Sequence, residues 1–173
     1  MARAVFLDRD GVINRRAPEG HYINSLAEFK ILPGVTEAIS RLNGSGFLVL
    51  VATNQRCIAR GIVPAEVVAQ IHATLRQQVE HGGGRIDGVY VCPHDYGDVC
   101  NCRKPKPGML LQAAKDFGLD LSQCWMVGDC ATDIKAGHSA GCRTVAIGAV
   151  KGVNADFTAA TLAEAVEQIF TKP

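Results

Sequence analysis

Two apolar patterns alternate along this chain. Short, mainly continuous apolar runs occupy Ala4–Leu7 and residues 47–52 (FLVLVA), 86–92, 125–127 and 144–147. They are too short for most helices and lack strict polar alternation, so they are read as strands buried on both faces. Between them lie segments whose apolar residues recur at helical spacing: 35–42, 64–81, Gly108–Phe117, 133–140 and 162–170. In the longest, Val67, Ile71, Leu75 and Val79 fall on one stripe, Pro64 suits a first helical turn, and the glycines at 82–84 end it. Alternating strands and helices predict an α/β fold, a single doubly wound, Rossmann-like parallel sheet with helices on both faces. A length of 173 residues, 47% of them hydrophobic, suits one domain over 1–173 with a real core.

In open parallel sheets, ligands bind beyond the carboxyl ends of the strands. The polar residues that follow each apolar run are therefore the first candidates. Strand one runs into Asp8-Arg9-Asp10-Gly11, strand two into Thr53-Asn54-Gln55, and strand four into Gly128-Asp129, with Asp133 four residues on. Lys104 lies between strands three and four. Folded as predicted, carboxylates, a hydroxyl and an ammonium meet in one crevice. Clustered carboxylates repel one another, and a hard divalent cation with oxygen ligands relieves this. A phosphoryl group in transfer needs its oxygens neutralised and a nucleophile in line. Asp8 can supply the nucleophile, because a carboxylate attacking phosphorus divides one difficult step into two easier ones. Taken singly, Asp-x-Asp-Gly also reads as a turn and Gly-Asp before a helix as an N-cap. Their joint position at the ends of apolar strands favours phosphatase chemistry.

Charge and cysteine content narrow the alternatives. The formal net charge is +1, with no long basic run, which argues against nucleic acid as a partner. No apolar stretch reaches the roughly 7–15 residues of a secretory core or the roughly 20 of a membrane span. A cytoplasmic protein without a membrane partner is expected. Seven cysteines in such a chain read as thiols or metal ligands. Cys92-Pro93-His94 and Cys100-Asn101-Cys102 bring three thiols and an imidazole together, the donor set of a closed structural zinc site. The other reading is a loop of reduced surface cysteines. Bound zinc would order the loop at about 92–102 and hold Arg103 and Lys104 over the crevice, where the planar fork of Arg103 can grip a second substrate phosphate. Cys124 and Cys142 are expected to be buried, Cys57 and Cys130 to lie near the site, and Trp125 to belong to the core. His72, His81 and His138 are expected on solvated helix faces. His21 and Tyr22 are read as a polar surface loop, and residues 151–173 carry no candidate chemistry.

The strand-end motifs resemble the haloacid dehalogenase superfamily of phosphatases. Phe6-Leu7-Asp8-Arg9-Asp10-Gly11-Val12 is similar to its first motif, Val51-Ala52-Thr53-Asn54 to its second, Lys104 to its third, and Gly128-Asp129 with Asp133 to its fourth. LDRDGVIN, TNQ, CPH, CRKPKPGM and MVGD resemble the capless subgroup that contains the heptose bisphosphate and histidinol-phosphate phosphatases. The resemblance implies that Asp8 is the nucleophile and a magnesium ligand. Asp10 would be the general acid and then base, its backbone carbonyl also on magnesium. Thr53 and Asn54 would bind phosphate, Lys104 would balance its charge, Asp129 would complete the magnesium site, and Asp133 would orient Lys104 or an outer water. Within this subgroup the Cys92, His94, Cys100 and Cys102 loop is similar to a zinc loop.

Two departures stand out: Arg56-Cys57 where Ser-Gly is usual, and Cys130 where a basic residue is common. The resemblance implies a monomer hydrolysing a small sugar phosphate, first a heptose bisphosphate of lipopolysaccharide-precursor synthesis, otherwise histidinol phosphate. A non-catalytic zinc-loop binding protein and a phosphatase of nucleic-acid ends are the readings from other classes.

Overall fold

The structure is a computed structural model that describes residues 2–171. Six parallel strands form one sheet in the order β3-β2-β1-β4-β5-β6. They are β1 (Ala4–Leu7), β2 (Leu48–Asn54), β3 (Gly88–Cys92), β4 (Trp125–Gly128), β5 (Arg143–Ile147) and β6 (Phe157–Ala159). The helices are α1 (Val35–Gly44), α2 (Ala65–His81), α3 (Gly108–Phe117), α4 (Ala131–Ala140) and α5 (Leu162–Thr171). The sheet order reverses direction at β1, so the crevice between β1 and β4 is the topological switch point where such sheets bind ligands.

Side chains alternate along each strand, and both faces of this sheet are covered. Val5, Leu7, Val49, Val51 and Val127 point into one layer with Ile39, Leu42, Ile71, Leu75 and Val166 from α1, α2 and α5. Ala4, Phe6, Leu50 and Met126 point into the other, against Met109, Leu110 and Ala113 of α3. Two-sided burial explains why the sequence shows continuous apolar runs. Each fully buried Leu, Ile or Phe contributes roughly 1.5–3 kcal/mol relative to an exposed one. β1 has all four residues buried and is hydrogen-bonded on both edges, Val5 lying in register with Val49 of β2 and Trp125 of β4. The residue that follows it, Asp8, is therefore carried by the most enclosed strand.

Two expectations are corrected. The edge strand β6, which pairs in parallel with β5, lies between the last predicted strand and the helix predicted at 162–170, where no strand was expected. Its three residues are too short for a periodic signal; Phe157 packs against Trp125 at 5.7 Å between ring centroids. His72 is not solvated. It is buried on α2, where its Nε2 lies 3.2 Å from Arg9 Nη1. Cys124, Cys142 and Trp125 are buried as expected. No described helix is long and apolar enough to cross a membrane.

Candidate active site

Asp8 leaves β1 with its amide donating to Val127 O at 3.0 Å, which ties the first residue of the site to β4. Its Oδ1 accepts from Lys104 Nζ at 2.8 Å. The same ammonium donates to Ala52 O at 2.7 Å and pairs with Asp133 Oδ1 at 2.7 Å. Lys104 is 3% exposed, so its three protons are all committed to protein oxygens. Burial alone would depress this ammonium, but the carboxylates of Asp8 and Asp133 outweigh it and hold the lysine above its ordinary pKa. Burial pushes the Asp8 carboxyl up to about 6; the Lys104 charge opposes this, while Asp133 and Asp10 add to it. Asp133 divides its oxygens between two tasks. While Oδ1 holds Lys104, Oδ2 accepts from the Cys130 amide at 3.0 Å and caps α4. Gly128 is required beneath it, because a Cβ there would lie 2.1 Å from Asp133 Cβ.

Asp10 is held by a dense set of donors. Arg9 Nη2 reaches both carboxylate oxygens at 2.9 and 3.0 Å, Asn14 Nδ2 reaches Oδ1 at 3.0 Å, and Gln55 Nε2 reaches Oδ2 at 2.9 Å. Burial would raise this carboxyl, but Arg9 and these hydrogen bonds hold it below the usual carboxylate range. Asp10 is therefore held in the carboxylate form. Arg9 is 1% exposed. Desolvation, with the Arg9 charge adding, drives the His72 imidazole down to about 4, leaving a neutral ring as acceptor for Arg9.

Gln55 also donates to Thr53 Oγ1 at 2.9 Å, leaving the Thr53 hydroxyl proton for another acceptor. The Asn54 amide is already paired, donating to Lys104 O and accepting from Lys104 N, both at 3.1 Å. The structure thus uses the Asn54 side chain to set the Lys104 backbone, a task distinct from the phosphate contact expected of it. The sequence reading gave no role to Arg9 or Gln55 and placed His72 on a solvated face. A cation set between two aspartates was the available signal for Arg9.

Asp129 meets β1 from the other side. Its carboxylate lies so close to Gly11 that a Cβ there would come within 1.8 Å of Oδ2, and Gly11 also adopts φ 96°. Arg16, unnoticed in the sequence, places Nη2 2.6 Å from Asp129 Oδ1, 3.4 Å from Asp10 O and 3.0 Å from Cys130 Sγ. Burial raises the Asp129 carboxyl and the Asp8 charge adds to this, with Arg16 opposing. Two of the three oxygens expected to hold magnesium thus already face one cationic nitrogen. This hard-oxygen donor set fits a divalent ion.

The sulfur-rich loop is equally well assembled. One ligand atom from each of Cys92, His94, Cys100 and Cys102 lies within 4.8 Å of the others. Cys92 Sγ and Cys102 Sγ are 3.0 Å apart, and His94 Nδ1 is 3.6 and 3.3 Å from them. A tetrahedral zinc with bonds of roughly 2.0–2.3 Å has edges of roughly 3.3–3.8 Å, so the set fits with small adjustment. Arg103 Nη1 donates to His94 O at 2.9 Å, which ties it to this loop.

These groups border one cavity of about 280 Å³ lined by Asp8, Asp10, Asn54, Arg103, Lys104 and Asp133. His21 and Tyr22 from the β1–α1 connection also line it, as do Arg16 and Arg56. Thr53 and Asp129 reach it through Gln55 and Arg16 respectively.

A parallel sheet with an Asp–Lys pair and a second Asp at its switch point is the architecture of a haloacid dehalogenase-type hydrolase. The family described as HAD-hyrolase-like matches residues 101–167. The D-glycero-beta-D-manno-heptose-1,7-bisphosphate 7-phosphatase of Pseudomonas aeruginosa is 45% identical over 154 residues, covering 88% of this chain and 85% of its own. The protein of the same name from Pseudomonas putida is 41% identical over 150 residues, covering 87% and 85%. The crystal structure of D,D-heptose 1,7-bisphosphate phosphatase from B. bronchiseptica, complexed with magnesium and phosphate, is similar at TM-score 0.90, with 32% identity and 100% of both chains covered. The chain belongs to the haloacid dehalogenase-like phosphatase family, among the heptose 1,7-bisphosphate 7-phosphatases.

Proposed function

We propose that this protein hydrolyses the 7-phosphate of D-glycero-D-manno-heptose 1,7-bisphosphate and leaves the 1-phosphate in place. The observation that carries the reading is the buried Asp8–Lys104 pair beside an ionised Asp10, all bordering one cavity. Asp8 attacks phosphorus, the bond to the sugar C7 oxygen breaks, and phosphate is carried on Asp8. The leaving oxygen takes a proton through Asp10. Because Asp10 starts ionised, that proton comes from the substrate phosphate, whose second pKa is about 6. Asp10 then removes a proton from water, which attacks the phospho-aspartate; inorganic phosphate leaves, Asp8 is restored, and Asp10 passes its proton to the departing phosphate or to solvent and is again a carboxylate. Lys104 neutralises charge at Asp8 and at the phosphoryl oxygens, and Thr53 donates its hydroxyl proton to them.

Asp8, the Asp10 carbonyl and Asp129 would hold magnesium, which when bound supplies positive charge to the transferring phosphoryl group. Cys92, His94, Cys100 and Cys102 would hold a structural zinc, and Arg103 on that loop would face the retained phosphate. The named relatives, heptose bisphosphate phosphatases, support this substrate over histidinol phosphate. We place the reaction in the cytoplasm, in a monomer of one domain.

The test compares phosphate release from the heptose bisphosphate and from histidinol phosphate, with the product position read by phosphorus NMR. Rapid release from the bisphosphate, sugar 1-phosphate as product, and at least a thousandfold loss in Asp8→Asn with unchanged circular dichroism are expected. Near-normal turnover in Asp8→Asn removes Asp8 from the nucleophile role, and a preference for histidinol phosphate removes the substrate assignment.

A further inference from the structure

At the rim of the cavity, three loops meet on one side chain. Arg56 follows the Thr53-Asn54-Gln55 segment at the end of β2 and lines the same cavity as Asp8. Its Nε donates to Tyr22 Oη at 2.8 Å, on the loop after β1. Its Nη1 lies 3.9 Å from Asp95 Oδ1, on the cysteine-rich loop. Its guanidinium also stands 4.8 Å from the ring centre of Tyr96, which is 75% exposed. The Arg103 guanidinium stands 4.4 Å from the same ring. Two cations from different loops thus stand against one aromatic ring, a contact that fixes guanidinium planes while leaving their N–H edges usable. Among the described residues, Arg56 Nη2 and Arg103 Nη2 have no hydrogen-bond partner. Arg60 reinforces the cluster from behind, donating to Tyr22 Oη at 3.3 Å.

We infer that Arg56 is a specificity-determining residue, which contacts the substrate's non-reacting phosphate directly and shares it with Arg103. Arg56 and Arg103 both line the cavity that holds Asp8, and two guanidinium forks serve a dianion better than one. The nearby carboxylate, Asp95, is too distant from Arg56 for a hydrogen bond and leaves the fork uncommitted. Arg56 thereby makes a bisphosphate a better substrate than a simple monoester. This rests on the phosphatase reading of Asp8.

The experiment measures kcat/KM for heptose 1,7-bisphosphate and for p-nitrophenyl phosphate, which has no second phosphate. Wild type, Arg56→Gln and Arg56→Lys are compared, with bound zinc and melting temperature recorded for each. In Arg56→Gln the ratio of the two kcat/KM values should fall about 10- to 100-fold, mainly through KM on the bisphosphate, at unchanged zinc content. Arg56→Lys should recover part of the ratio, since it keeps the charge and loses the fork. Equal losses on both substrates, or a loss that tracks zinc content, would show that Arg56 only positions loops and would overturn the inference. An unchanged ratio would do the same. A wild-type enzyme indifferent to the second phosphate would overturn the substrate assignment and this inference together, whereas wild-type preference with an insensitive Arg56→Gln overturns only the latter.

Discussion

Arg16 shows how one side chain can stand in for an ion. Its Nη2 touches Asp10 O and Asp129 Oδ1, two atoms that magnesium would take. A guanidinium and a divalent ion cannot hold these oxygens together, so metal entry must turn Arg16 away. The cost is modest, because the pair is partly solvated, with 49% of the Arg16 side chain exposed. Arg16→Gln should therefore bind magnesium several-fold more tightly, measured calorimetrically with the metal alone. Unchanged or weaker binding would mean that Arg16 does not compete. The residue-level network was only partly legible in the sequence. Asp8, Asp10 and Asp129 were visible because charged residues just after apolar strands have few structural reasons to be there, and Lys104 because its segment between strands three and four matches a family motif. Arg9, Gln55, His72 and Arg16 were not, because their meaning lies in partners that only tertiary packing supplies: Gln55 is defined by Asp10 and Thr53, and Arg16 by a carboxylate 113 positions away.

Among the elements, strands enclosed by helices on both sides announced themselves as apolar runs, whereas β6 did not. Its residues, Phe157–Ala159, carry one exposed threonine and end too soon for any period to register. The cysteine-rich loop was legible as chemistry but not as a contact surface. Only the fold shows that it carries His94 O to Arg103 and Tyr96 to two guanidinium groups. The loop has little core of its own, with Tyr96 and Val99 both exposed, so its order should depend on the ion. Cys102→Ser should lower zinc from about one per chain, speed proteolysis between residues 92 and 102, and raise KM for the bisphosphate more than it lowers kcat. Zinc retained at the wild-type level, or a loop equally resistant to protease without it, would contradict this.

For the whole molecule, the arrangement of the sheet matters more than any one contact. Six strands run the same way, so every strand presents its carboxyl end to one side, and residues from positions 8, 54, 104 and 133 arrive at one crevice although they are far apart in the chain. The reversal of order at β1 opens that crevice without any inserted domain. Its rim consists of the β1–α1 connection and the cysteine-rich loop, whose Tyr22, Asp95 and Tyr96 all meet Arg56.

The position of Asp8, the proposed nucleophile, has a kinetic consequence. The Asp8 amide is bonded to Val127 across the middle of the sheet, and the strand that precedes it is covered on all sides. Fraying of edges such as β6 does not reach it, so its amide proton should exchange with deuterium only when the entire chain unfolds, at the slowest rate class in the molecule. Exchange of that amide in step with the 92–102 loop would contradict this. If it holds, heat or denaturant removes the Asp8 carboxylate from Lys104 only at the moment of global collapse, and the protein has no partly melted form in which the acid wanders free.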